Sequence, residues 1–156
     1  MRGSTFQRLV TMDETDLLGN LLGFLESHKV PFCVIGGQAV NAYVEPLVSL
    51  DLDIAVAVDD PHDQIQDLRQ VFRVTVHPRR INLDQQGSAL RVQIQTDPCY
   101  AAFVHAAERK TVLGRSMPVA RLKDALSGKI WAAMDPQRRG SKRQKDLADI
   151  ARILEA

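Results

Sequence analysis

A chain of 156 residues, 45% hydrophobic and 25% charged, is long enough for one domain with a real core and has an ordinary soluble composition. Its net charge of +1 excludes a whole-molecule attraction to nucleic acid or membrane, so any such contact needs a local patch. Two distant cysteines, Cys33 and Cys99, exclude a zinc ribbon and a disulfide framework, which suits a reducing cytoplasm.

Thr11-Met12-Asp13-Glu14 has the form of a capping box. Behind it Leu17, Leu18, Leu21, Leu22 and Leu25 recur at helical spacing, predicting an amphipathic helix that ends near His28. Phe32–Ile35 reads as a short buried strand, with Cys33 as a small hydrophobe inside it. Gly36-Gly37 breaks that strand, and a short helix is expected over Gln38–Tyr43. Leu50–Val58 reads as a second strand. Asp60-Pro61 is a cap followed by proline, opening a helix through Ile65 and Leu68. Phe72, Val74 and Val76 alternate with polar residues as a third strand. A short strand at Ile81–Leu83 and another over Leu90–Gln95 follow. Asp97-Pro98 repeats the cap-and-proline signal, with a helix expected to about Glu108. Two β pieces near Val112 and Val119 flank Gly114. Helices are expected over Arg121–Met134 and Lys142–Leu154. The link Asp135–Ser141 between them reads as a hinge.

The pattern is that of a mixed α/β (α+β) protein, a single domain over 1–156. Its core spans about 13–134, and a C-terminal helix at 141–155 follows a basic linker. No apolar stretch is long enough to cross a bilayer, and Met1-Arg2-Gly3-Ser4 is not followed by the apolar segment of a signal peptide.

The chemistry concentrates in Asp51 and Asp53. Alternation puts Leu50, Leu52, Ile54 and Val56 on one face of the strand, and Asp51, Asp53, Ala55 and Ala57 on the other. Residues i and i+2 lie about 6.5–7 Å apart, so both carboxylates address one space. Like charges on a buried strand call for a cation or a function. Hard divalent cations take carboxylate and phosphate oxygens. A strand, a glycine pair and a helix let backbone N–H groups approach a phosphate. Taken singly, an acid–apolar–acid strand is commonly a solvated face and a glycine pair is commonly a turn.

Gly36-Gly37, the spacer Gln38–Leu50 and Asp51-Leu52-Asp53-Ile54 resemble the signature of the DNA polymerase β-like nucleotidyltransferase superfamily. The branch they resemble is that of the AbiEii-like or minimal nucleotidyltransferases. The resemblance runs from about Asp16 to Leu154. It includes the strand Leu90–Gln95, the helix bearing Lys129 and the string Lys145-Asp146-Leu147-Ala148-Asp149. It implies a nucleotidyltransferase fold, a small mixed sheet flanked by helices. It implies transfer of a nucleoside monophosphate from an NTP to a hydroxyl of RNA (tRNA included) or of a protein, in a toxin–antitoxin setting. Mg²⁺ or Mn²⁺ would be the cofactor, with Asp51 and Asp53 as catalytic metal ligands. Gly36, Gly37 and Ser49 would hold the triphosphate.

The chain departs from that pattern twice. The third carboxylate expected on a neighbouring strand falls at Gln93, which brings neither charge nor a base. Asp97 shares its strand parity but lies about 13 Å further on and also caps the next helix. An arginine common before the first acid is replaced by Val48.

Lys129 falls within the stripe of Leu122, Ala125, Leu126 and Ala133, either snorkelling to a rim or reaching into a site. The resemblance favours a phosphate contact for it. Arg138, Arg139, Lys142, Arg143 and Lys145 form a basic cluster, either a solvated surface or a contact for RNA or triphosphate. Few aromatics interleave with it, so stacking on single-stranded bases has no support there. Lys145 and Asp149 are spaced as a helical ion pair, or as parts of a nucleotide site by the resemblance. His28, His62, His77 and His105 show no metal-binding spacing. Two functions follow: a Mg²⁺-dependent nucleotidyltransferase, or a module of that kind that binds nucleotide or a protein partner without turnover.

Overall fold

The computed structural model describes residues 16–156. The capping box at Thr11–Glu14 lies outside the described residues. The first described helix, α1 (Leu17–Ser27), is capped by Asp16, whose Oδ1 accepts the Gly19 N–H at 2.9 Å. Arg115 pairs with the same carboxylate at 2.8 Å. There follow β1 (Phe32–Ile35), α2 (Gly36–Asn41), β2 (Asp51–Val56), α3 (Ile65–Arg69), β3 (Arg73–His77), β4 (Arg80–Asp84) and β5 (Arg91–Gln95). The chain then forms α4 (Ala101–His105), β6 (Glu108–Val112), β7 (Arg115–Val119), α5 (Leu122–Met134) and α6 (Gly140–Glu155). No described helix is long and apolar enough to cross a membrane.

The strands form one mixed sheet in the order β3-β4-β5-β2-β1-β7-β6. β2 is antiparallel to β1 and parallel to β5, so the two central strands lie side by side and carry the middle of the fold. One face buries Val34, Leu52, Ile54, Ile81, Leu83, Val92 and Ile94 against the α1 leucines and Phe24. These positions follow the alternation of each strand. The opposite face has a smaller apolar cluster of Cys33, Ile35, Ala55, Phe103 and Ala120. Burial in that cluster pushes the Cys33 thiol up to about 12, so it stays a neutral packing group.

Two expectations are corrected. The short helix begins at the glycines rather than after them, so Gly36 and Gly37 form its first turn. The helix after Asp97-Pro98 stops at His105, and Glu108 already belongs to β6. The reason is the hairpin beyond it. Leu113 and Gly114 both take positive φ, 50° and 81°, the two-residue turn that matches strand twist and lets Glu108–Val112 pair with Arg115–Val119. Asp60 and Asp97 both cap as expected, accepting N–H groups from His62 and Cys99, though each opens a 3₁₀ turn before the α-helix.

The link expected to be a hinge is tied down. Arg143 donates from Nε to the Ala133 carbonyl at 2.9 Å and from its Nη2 to the Asp135 carbonyl at 2.7 Å. Arg138 grips Asp146 through Nε and Nη2 at 2.8 and 3.0 Å. α5 and α6 thereby pack as a pair beside the second sheet face.

Candidate active site

β2 delivers Asp51 and Asp53 to the second face because its other face is filled by Leu52 and Ile54. β1 lies alongside, with Ile35 in register with Asp53. The next residue, Gly36, turns at φ +68°. A Cβ placed there would stand 2.5 Å from Asp53 Oδ2, so glycine is required both by backbone conformation and by the carboxylate's position. On the other side, β5 puts Arg91 beside Asp51 and Gln93 beside Asp53. Gln93 is thus the residue of the neighbouring strand in register with Asp53.

Two clefts open at the acidic pair. One, of about 110 Å³, is bounded by Asp51, Asp53, Gln93, Tyr100, Lys129 and Arg138. The other, of about 230 Å³, reaches over Gly37, Ser49, Lys142, Lys145 and Asp149. Ser49 is half-buried. Its hydroxyl oxygen accepts the Asp51 N–H at 3.2 Å, and its carbonyl accepts from Gln38 Nε2 at 3.0 Å. Gln38, itself buried, therefore fixes the approach to β2.

Burial pushes the Asp53 carboxyl up to about 6. Lys129 is the strongest opposing influence, Asp51 adds to the rise, and Lys142 and Arg138 oppose it. Asp51 is held differently, by Arg91 Nε at 3.0 Å in a pair whose arginine is largely exposed. Such a pair is worth about 0–1 kcal/mol and opens readily.

Lys129 lies among carboxylates: its Nζ is 3.2 Å from Asp146 Oδ1 and 2.7 Å from Asp149 Oδ2. Arg152 completes the group on Asp149 Oδ1 at 2.7 Å and also donates to the Glu45 carbonyl at 2.8 Å, tying α6 to the loop before β2. The helical pairing of Lys145 with Asp149 is not formed. Asp149 is buried and taken by Lys129 and Arg152, while Lys145 is exposed on the rim of the larger cleft. Among the basic cluster, Arg138 and Arg143 are structural ties, Lys142 and Lys145 face the cleft, and Arg139 is exposed. Val48 is 48% exposed on the rim and supplies no charge. Asp97 is spent capping Cys99 and borders a different cleft.

The sequence reading missed Arg91, the roles of Asp146 and Arg152, and an aromatic cluster. Tyr100, Phe103 and Trp131 meet with ring centroids 5.4–5.8 Å apart. Their separation in sequence hid this, although Tyr100 and Phe103 share one turn spacing. The signal for Arg91 was present in Arg91-Val92-Gln93, once that strand is set beside Asp51-Leu52-Asp53.

No family model and no curated protein sequence matches the chain. Solved structures do. The lincosamide antibiotic adenylyltransferase LnuA, lincomycin-bound, has a TM-score of 0.57 at 18% identity, over 88% of this chain and 94% of that one. An antigenic nucleotidyltransferase-like protein from Paracoccidioides brasiliensis gives 0.55 at 15% identity, over 99% and 78%. ANT(2'')-Ia in complex with adenylyl-2''-tobramycin gives 0.54 at 13% identity, over 89% and 88%. The chain has the nucleotidyltransferase fold. In this nucleotidyltransferase-fold protein the acidic pair, the glycine turn and Gln93 occupy one end of adjoining strands β1, β2 and β5.

Whether the residues fit a cation can be judged from their donors. Among the described residues no three His, Cys, Asp or Glu side chains gather as a complete cage. Mg²⁺ does not need one, since it is commonly held by one or two carboxylates with water and substrate phosphates. Asp51 and Asp53 supply the carboxylates, Gln93 a neighbouring amide oxygen, and Gly36 the room beside Asp53. The set fits a single hard cation.

Proposed function

We propose that this protein transfers a nucleoside monophosphate from an NTP to an acceptor hydroxyl, with Asp51 and Asp53 holding Mg²⁺ or Mn²⁺. The observation that carries the reading is the geometry of β2. Its two carboxylates share one face, beside a glycine turn whose conformation leaves room for them, and open into clefts on both sides. The nucleotidyltransferase fold of LnuA and ANT(2'')-Ia supports it.

In this reading Gly36 and Gly37 present backbone to the triphosphate, with Ser49, Lys142 and Lys145 along the larger cleft. Lys129 and Arg138 favour the ionised form of Asp53. The bound cation would supply charge neutralisation on the phosphate oxygens. The acceptor oxygen attacks the α-phosphorus, the bond from that phosphorus to the bridging oxygen breaks, and pyrophosphate leaves. Gln93 cannot take the acceptor's proton, so it passes to water. The AbiEii-like resemblance supports RNA or protein as acceptor and a toxin–antitoxin setting. The antibiotics bound by LnuA and ANT(2'')-Ia support a small molecule.

The test is incubation with α-labelled NTPs, Mg²⁺ or Mn²⁺, and candidate acceptors. Label moves to an acceptor with the wild-type chain and not with Asp51→Ala. Persistent labelling by the mutant sinks the mechanism. A second reading, nucleotide binding without turnover, is favoured by Gln93 in register with Asp53. Transfer that appears only on Gln93→Asp establishes that reading.

A further inference from the structure

A third cleft, of about 890 Å³, lies on the outer half of the same sheet face. It shares Gln95, Tyr100, Ala132 and Arg138 with the cleft that contains the acidic pair, so the two adjoin. Its size is that of a small-molecule site. β4 and the β3–β4 turn bring Arg79 and Arg80 to its wall, with Arg80 in register with Gln95. The ion pairs among the described residues leave both arginines out. Arg80 Nε is buried with no hydrogen-bond partner. The same lining includes Trp131, 45% exposed and braced by Tyr100 and Phe103.

Each of the two carboxylates bordering this cleft has one oxygen engaged by its own backbone. Asp97 Oδ1 accepts the Cys99 N–H and Asp135 Oδ1 the Gln137 N–H, both at 2.9 Å. Arg79 acts on Asp97 only through its charge, so the lining combines two guanidinium groups outside any ion pair with an aromatic side chain. Guanidinium groups favour phosphate oxygens, and an indole face favours a planar ring. A cationic aminosugar would meet like charge on Arg79 and Arg80.

We propose that this cleft is the acceptor subsite and that it takes a nucleoside phosphate, free or as the end of a nucleic-acid strand. The phosphate lies on Arg79 and Arg80, the base against Trp131, and the hydroxyl at the mouth shared with Asp53. The assignment rests on the transfer reading for its role, but its binding test needs no turnover.

Trp131 is the single tryptophan of the chain, so its fluorescence reports this cleft directly. The full chain is titrated in EDTA with AMP, adenosine, tobramycin and a short single-stranded oligoribonucleotide. AMP should quench saturably and bind about tenfold tighter than adenosine, with no response to tobramycin. Arg80→Ala should weaken AMP by about tenfold or more, and Arg79→Ala, on an exposed turn, serves if the first variant folds poorly. Asp51→Asn should keep the quench. Tighter binding of the oligonucleotide than of AMP identifies a strand end as the source, and weaker binding identifies the free nucleotide. Absence of quenching, equal affinity for adenosine, competition by tobramycin, or indifference to both arginine substitutions overturns the proposal. Quenching without label transfer defeats the transfer reading and spares the subsite. Transfer without quenching does the reverse.

Discussion

Gly36 and Asp53 are one structural unit made by two residues seventeen positions apart. The glycine adopts φ +68°, and any Cβ would enter the space of Asp53 Oδ2. Gly36→Ala should therefore cost about 2 kcal/mol in denaturant unfolding, from left-handed strain and a displaced carboxylate together. The charge on Asp53 has its own consequence. Its folded pKa of about 6 exceeds the ordinary 3.8, so the native state binds more protons between those values. Cation-free stability should fall as pH rises from about 4 to 6 and then level, with the penalty present at neutral pH. Asp53→Asn should flatten that slope and raise cation-free stability near pH 7 by about 1–2 kcal/mol. Chemical unfolding at several pH values checks it, and an unchanged slope in the variant contradicts the assignment. The Gly36–Asp53 partnership was half legible in the sequence. The glycine pair and the acid pair stand out, but the register between β1 and β2 that brings them together does not.

At the scale of elements, α5 and α6 are joined by charge rather than by a continuous apolar seam. Lys129 on α5 meets Asp146 and Asp149 on α6, and Arg138 from the link closes on Asp146, which is 1% exposed. Removing one member of a buried network strands the others, so Asp146→Ala should destabilise the protein by roughly 3 kcal/mol, read as a shift in denaturant midpoint. Lys145→Ala, on an exposed side chain, should leave stability within about 0.5 kcal/mol of wild type. Helical spacing pointed to Lys129 as a polar intruder in an apolar stripe, and that much could be read from the chain. Its partners could not, because i,i+4 logic looks along one helix, whereas Asp149 faces another helix and its own i,i+3 neighbour Arg152. The strands were more legible than the helices. Alternation in Leu52, Ile54, Val92 and Ile94 is enforced by a buried face, while the end of α4 depended on a hairpin formed later in the chain.

Across the whole molecule, the sheet order does the assembling. Placing β2 between β1 and β5 sets the acidic pair between a glycine turn and Gln93, and β4 extends the same face outward to Arg80. Each strand was recognisable locally, yet their order is set by long-range pairing that no local pattern carries. Asp51 and Asp53 are the centre of the proposed cation–triphosphate site. The most direct test is calorimetric titration of Mn²⁺ with a nonhydrolysable NTP into the wild-type chain, Asp51→Asn and Asp53→Asn. One Mn²⁺ should bind together with nucleotide in the wild type, with a loss of about tenfold or more in each variant. Equal binding by all three proteins, or nucleotide binding indifferent to Mn²⁺, would contradict it.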